Sequence, residues 1–203
     1  MSRAPQMRRT DRVMSDEDVR HMLATGFCAR LATVGVDGWP YVLPFMYVWM
    51  DQHVYIHRTS AAGHFATNLR VNARVCLEID APGEVFAYGR YECDTGVAYE
   101  SVIGFGTMRL VEEAREKTRF LVALMRKYAD PNWSRPTAFF PRFDEIDVYA
   151  MTIERLTGKQ QVLPELSQRW PALDRTKSPN ARAPRADSQP NEAAASHEVT
   201  SPE

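Results

Sequence analysis

From Phe27 onward, short runs of β-branched, aromatic and aliphatic residues alternate with turns of two to four residues, and this spacing leaves the chain few folds to choose from. FCARLATV is followed by the turn Gly35-Val36-Asp37-Gly38, then by WPYVLPFMYVWM, by Asp51-Gln52 and by VYIHR. Runs of that length at that spacing predict a meander of antiparallel hairpins. Pro40 and Pro44 lie within the second run. Proline has no N–H to donate to a ladder, so this strand is expected to be bulged or to lie at an edge.

The flanking segments read as helices. Ser15, with Asp18 three residues later, forms a capping pattern, and Val19, Met22 and Leu23 give a helical apolar stripe that stops at Gly26. A second short helix is expected over residues 62–71, around Phe65 and Leu69, before the strand ARVCLEID. Residues 81–95 are broken by Pro82, Gly83 and Gly89 and carry no clear period. VAYESVIGFGTMRLV then reads as a long strand kinked at Gly104 and Gly106. EEAREKTRFLVALMRKYA is a helix with acids in its first turn, Phe120, Leu121, Leu124 and Met125 on one face, and Arg126 and Lys127 at its end. Residues 144–156 supply a last strand. The expected fold is therefore mainly β (α+β): a small antiparallel barrel or curled sheet with a few flanking helices. No strand–helix–strand series exists to build a doubly wound sheet.

An apolar content of 44% in 203 residues is enough for a real core. The folded domain is expected over residues 13–163, after a flexible N-terminus at residues 1–12. Residues 164–203 form a Pro-, Ala- and Ser-rich tail with too little apolar area to offset its ordering entropy, and are expected to be disordered. The 25 Lys and Arg nearly balance 26 Asp and Glu, so no strong field draws the chain to nucleic acid or to an anionic membrane. A small-molecule partner is the expectation by elimination. Cys28, Cys76 and Cys93 are odd in number and form no CxxC, and no run of about 18 apolar residues occurs. Reduced thiols and a cytoplasmic location follow as expectations, with no membrane span.

There is no GxSxG, P-loop, HExxH or dinucleotide glycine fingerprint, and the five histidines lack metal-ligand spacing, so no metal is expected. The informative segment is HRTSAAGHFATNLRVNARVCLEID. A strand ends at His57 and Arg58, Thr59, Ser60 and Gly63 make a small polar loop, and a helix begins near His64. Hydroxyls, a glycine and basic groups at a helix N-terminus suit a phosphate monoester. The plain alternative is that Thr59 and Ser60 cap the helix and Arg58 is solvated.

The order of these blocks, from the N-terminal helix through CARLATVGVDGWPYVLPFMYVW, VYIH with its Gly63-His64 loop, NLRVNARVCLEID and YESVIGFGTMRLVE, resembles the pyridoxamine-phosphate-oxidase-like split-barrel superfamily. Within it the chain is most similar to the flavin-nucleotide-binding branch that includes the nitroimidazole-resistance reductases. The resemblance covers about Met14 to Gln161. It implies a split barrel and a homodimer with FMN at each of two sites between protomers. It places the isoalloxazine ring against the second strand, at Leu43, Pro44, Phe45 and Tyr47. The phosphate falls to His57, Arg58, Thr59, Ser60, Gly63 and His64. Ser101 takes the place of a ring contact on a facing strand. Lys159, in Gly158-Lys159-Gln160, adds a phosphate charge or simply ends a strand.

The chain departs from the pattern at three places. Phe65 stands where many relatives have a lysine, and Arg58 where many have glycine. Leu43 and Val48 replace the arginine and lysine of true pyridoxamine phosphate oxidases, which disfavours vitamin B6 oxidation. What the resemblance implies is an FMN-dependent oxidoreductase, taking a hydride from NAD(P)H and reducing a small nitro or quinone acceptor. The alternative is a non-catalytic binding or storage protein for FMN, a deazaflavin or haem. No catalytic residue is assigned.

Overall fold

The computed structural model describes residues 7–88, 93–134, 136 and 138–165. Of these, residues 7–84 with 97–162 form one unit, and the rest belong to a second. Most of the tail expected at residues 164–203, and the first six residues, lie outside the described set. Thr10–Arg12 forms one turn of 3-10 helix, with Arg9 paired to Asp11 at 2.5 Å.

In the larger unit, α1 (Asp16–Thr25) is capped as its sequence predicts: the Asp18 N–H donates to Ser15 Oγ at 3.1 Å, and Gly26 ends the helix. The meander follows as β1 (Ala29–Val34), β2 (Pro40–Phe45), β3 (Tyr47–Met50) and β4 (His53–Thr59). Then come α2 (His64–Val71), β5 (Arg74–Ala87), β6 (Thr95–Leu110), α3 (Ala114–Tyr128) and β7 (Ile146–Gln161). β5 runs through Pro82 and Gly83, where the sequence showed no period. Added Cβ atoms explain why Gly83 is there: a side chain would stand 3.0 Å from the Ala98 carbonyl oxygen. In the second unit, the Tyr88 N–H donates to Asp94 O at 2.7 Å and the Phe86 and Tyr88 rings lie 6.1 Å apart.

The described strands make one sheet in the order β2-β1-β5-β6-β7-β4-β3. Its two edge strands, β2 and β3, are consecutive in the chain and separated only by Met46. One residue cannot span a flat sheet of seven strands spaced about 4.8 Å apart, so the sheet must curl until its edges meet. This is the mainly β, antiparallel, barrel-like fold the sequence implies. Pro40 and Pro44 pair only with Val34 and Arg30 of β1, and the edge position removes any need for their missing N–H groups.

Alternation sorts the side chains. Leu31, Tyr47, Ile56, Leu77, Ile79, Val102 and Met151 point inward and pack with Met22 and Leu23 of α1. Val48, Tyr55, Val148 and Ala150 point the other way and are covered by Phe120, Leu121 and Leu124 of α3. The β3-β4-β7 part of the sheet is thus buried on both faces.

Candidate functional site

The loop between β4 and α2 is built largely as the sequence suggests, with one correction. α2 begins at His64 with Gly63 at its N-cap and no side-chain capping bond. Thr59 and Ser60 therefore do not cap it. Ser60 instead anchors the loop to the turn before β7: its N–H and its hydroxyl both donate to Glu145 O, at 2.9 and 3.1 Å. Thr59 is the last residue of β4, paired with Ile146. The first-turn N–H groups of α2 are left without a side-chain acceptor at the end where the helix dipole is positive.

Arg58 is not solvated. Its guanidinium bends over the loop to donate to Ala61 O, and NH1 lies 3.5 Å from Asp147 Oδ2, the residue opposite it on β7. A Cβ at Gly63 would stand 3.1 Å from the Arg58 guanidinium, the tip of a flexible side chain. His57 points to the other face of β4, as neighbours on a strand must. Its ring lies 5.9 Å from Phe120, burial holds its pKa below the usual histidine value, and Nδ1 is buried without a hydrogen-bond partner. The six residues that the sequence groups at one loop are thus divided between two faces of a strand.

β2 meets the start of α2. The His64 ring stacks on Tyr41 at 4.9 Å and 20°, and Phe45 lies 5.0 Å from Phe65. Leu43 and Phe45 lean on the inner core, while Pro44 is exposed. Phe65 is buried. It fills the space between Phe45 and Tyr149, so the position that lacks a lysine has become core. Tyr47 is also wholly buried, with its hydroxyl donating to Met22 O at 3.2 Å. Its side chain is part of the core.

Ser101 and Lys159 pair with each other across β6 and β7, with Ser101 Oγ donating to Lys159 O at 3.3 Å. Gly158 faces the opposite way, and a Cβ there would overlap Val19 of α1. Lys159 is therefore on the outer face of the sheet. From Asp147, which pairs with Arg58, to Lys159 the strand runs roughly 40 Å at its usual rise. Within one chain, the structure does not bring Ser101 and Lys159 to the β4–α2 loop.

In the sequence Lys127 reads only as a basic residue at the end of α3, and its burial is not legible there. Nζ is buried without a hydrogen-bond partner, 3.7 Å above the Tyr47 ring and 5.3 Å from that of Tyr128. Next to it the Tyr128 hydroxyl donates to Phe27 O at 2.7 Å and accepts from the Tyr47 N–H at 3.1 Å. These contacts clasp α3 to the point where the two sheet edges meet. Burial lowers the Lys127 pKa to about 8. Because that is below the unfolded value, the unfolded chain binds more protons between the two, and stability should rise with pH from about 8. Above about pH 10 the buried tyrosines Tyr47, Tyr128 and Tyr149, whose pKa values burial raises, oppose it. Lys127→Met should flatten the rise and stabilise the fold by about 1 kcal/mol at neutral pH, after allowance for solvent screening and the lost cation–π contact. Denaturant titrations at pH 7 and 9.5 measure both effects.

Among the described residues no helix is long and apolar enough to cross a membrane, and no group of three or more His, Cys, Asp or Glu is placed to hold a metal ion. The three cysteines are free, Cys28 and Cys76 half-buried and Cys93 exposed.

Several solved structures share this fold. One is a putative 5-nitroimidazole antibiotic resistance protein from Bacteroides thetaiotaomicron VPI-5482, at 19% identity and a TM-score of 0.60, covering 73% of this chain and 86% of that one. The flavocytochrome Anf3 from Azotobacter vinelandii aligns at 22% identity and a TM-score of 0.66, over 79% of this chain and 74% of that one. A FAD and heme binding protein from Mycobacterium smegmatis aligns at 20% identity and a TM-score of 0.60, over 74% of each chain. No curated protein matches the chain. The family model described as pyridoxamine 5'-phosphate oxidase matches residues 15–160, which takes in every strand from β1 to β6 and nearly all of β7, and the chain belongs to that family.

Proposed function

We infer that this chain is a flavoprotein that holds FMN with its phosphate at the β4–α2 loop and its ring along β2. The observation that carries this reading is the meeting of β2 with the N-terminus of α2, through Tyr41 on His64 and Phe45 on Phe65. It sets an apolar strand beside a helix start whose N–H groups no side chain caps. That donor set, with Thr59, Ser60, His64 and Arg58 around it, fits a phosphate monoester. Among the structurally similar proteins are a flavocytochrome and a FAD and heme binding protein, which supports a flavin over other phosphate-bearing cofactors. Arg58 shares its charge with Asp147 and Phe65 is core, so the phosphate end has less free positive charge than a lysine at residue 65 would give.

The site takes two copies of the chain. Ser101 and Lys159 lie on the outer face of the sheet, far along β7 from the loop, so they reach a flavin only if it is bound by another protomer's loop. The same face carries Val42, Ile103 and Phe105, which are 53%, 38% and 39% exposed. Aliphatic and aromatic side chains standing together on an open sheet face are suited to association with a second copy.

The bound flavin supplies the redox chemistry, accepting a hydride from NAD(P)H and passing electrons to a small nitro or quinone compound. The protein's part is to hold the phosphate, keep the ring against Leu43, Pro44 and Phe45, and offer the Ser101 hydroxyl to it. A visible spectrum of the purified chain after reconstitution with FMN tests this, followed by anaerobic NADH or NADPH. Flavin bands that bleach support the oxidoreductase. Bands that persist favour a flavin-binding or storage protein, a Soret band favours haem, and protein that takes up no flavin refutes the reading. At residue level, His64→Ala and Arg58→Ala should each weaken FMN binding by about 1 to 3 kcal/mol. Calorimetric titration showing both variants unchanged moves the phosphate elsewhere.

A further inference from the structure

α3 has a second apolar face that the sheet does not use. Phe120, Leu121 and Leu124 face the core. Met125, which the sequence groups with Phe120, Leu121 and Leu124, is instead exposed, and with Val122 and the helix-ending Ala129 it lines a cleft away from that core face. The chain after α3 covers this side only in part. Pro131, Pro136 and Pro141 stiffen that segment. Between it and the helix lies this cleft of about 730 Å³, walled by Met125, Trp133, Phe139 and Phe140, within the roughly 300 to 1,000 Å³ typical of small-molecule sites. Phe139 is 65% exposed and Met125 42%.

Among the described residues that line this apolar space, the cation is Arg126. Arg126 lines the cleft and has no acidic partner among the described residues. Asp130 also lines the cleft, and its Oδ1 is turned to the N–H and the side-chain amide of Asn132, at 2.8 and 3.0 Å, rather than to Arg126. Aromatic walls with the Arg126 guanidinium at the rim, unpaired among the described residues, select a ligand that is flat, apolar over most of its area and anionic at one end. None of the residues assigned to the flavin lines this cleft.

We propose that this cleft is a second ligand site, and that it takes a planar aromatic carboxylate with the carboxylate on Arg126 and the ring against Phe139 and Trp133. It is independent of the flavin reading. Calorimetric titration of the full-length protein with 2-naphthoate, and separately with uncharged 2-naphthalenemethanol, tests it. The expected result is one 2-naphthoate per chain, bound about tenfold more tightly than the alcohol. Arg126→Met should abolish that preference while leaving the alcohol's affinity unchanged, and Phe139→Ser should weaken both ligands. Absence of 2-naphthoate binding overturns the proposal. So does an Arg126→Met variant that keeps the preference, or 2-naphthoate that saturating FMN displaces, since that would place it in the flavin site.

Discussion

Phe105→Glu should yield a folded monomer that has lost its flavin. Phe105 stands on the outer face of the sheet with Ile103, and truncating or charging an aromatic at the centre of an association surface commonly weakens it by 2 kcal/mol or more, on the order of 30-fold or greater. A carboxylate buried between two protomers would add its desolvation cost, even beside a cation. The monomer itself should tolerate the change, because Phe105 is 39% exposed and the Arg155 guanidinium already lies 4.5 Å from its ring, ready to pair with a glutamate. Sedimentation velocity and the flavin absorbance of the same sample give the two readouts. A variant that stays dimeric and yellow sinks the shared-site reading. One that becomes monomeric yet keeps its flavin would confine the cofactor to a single chain.

The next residue should behave in the opposite way. Gly106→Ala should destabilise the fold by about 3 kcal/mol or more, with little effect that depends on flavin. β6 and β7 slip register between Phe105 and Gly106, and at this bulge the backbones approach so closely that a Cβ on Gly106 would overlap the Thr152 carbonyl oxygen. Backbone cannot step aside as a flexible side chain does, and both strands lie within the sheet rather than at its edge. Gly104→Ala is the matched control. A Cβ there meets only Leu156 and Leu77 side-chain atoms at 3.5 and 3.6 Å, ordinary contact, and should cost less than about 1 kcal/mol. Thermal melts of the two variants should differ by several degrees at least. Equal melting temperatures would mean that the bulge relaxes.

These two glycines show where the sequence was legible and where it was not. Both were readable as a kink in a long strand, because glycine in a strand marks a bulge or a close approach. Which one the fold requires depends on Thr152, 46 residues along the chain, and on a register slip that no local pattern encodes. β5 illustrates the same limit. Pro82 and Gly83 hid a strand that continues because β6 lies against it, with Ala98 close to Gly83. α1 was legible to its cap because Ser15, Asp18 and Gly26 act within a few residues of one another.

At the site, the loop from His57 to His64 was visible as a cluster of residue types. Its internal wiring was not. That Ser60 is tied to Glu145, that Arg58 shares its charge with Asp147, and that Phe65 is core all depend on β7 returning alongside β4. Lys127 was hidden for the same reason, since the ring that covers it belongs to Tyr47.

The order of short strands, the exclusion of the proline-bearing strand from an unbulged place inside the sheet and the existence of a polar loop before a helix were determined by the sequence itself, because turn chemistry and missing donors act over a few residues. Curling was decided by tertiary structure. When the edges of the sheet meet across Met46, they bring β2 onto α2 and send Ser101 and Lys159 to the far end of β7. Contacts between residues so distant in sequence are set by which faces must be buried together, and that is a property of the folded sheet rather than of any stretch of the chain.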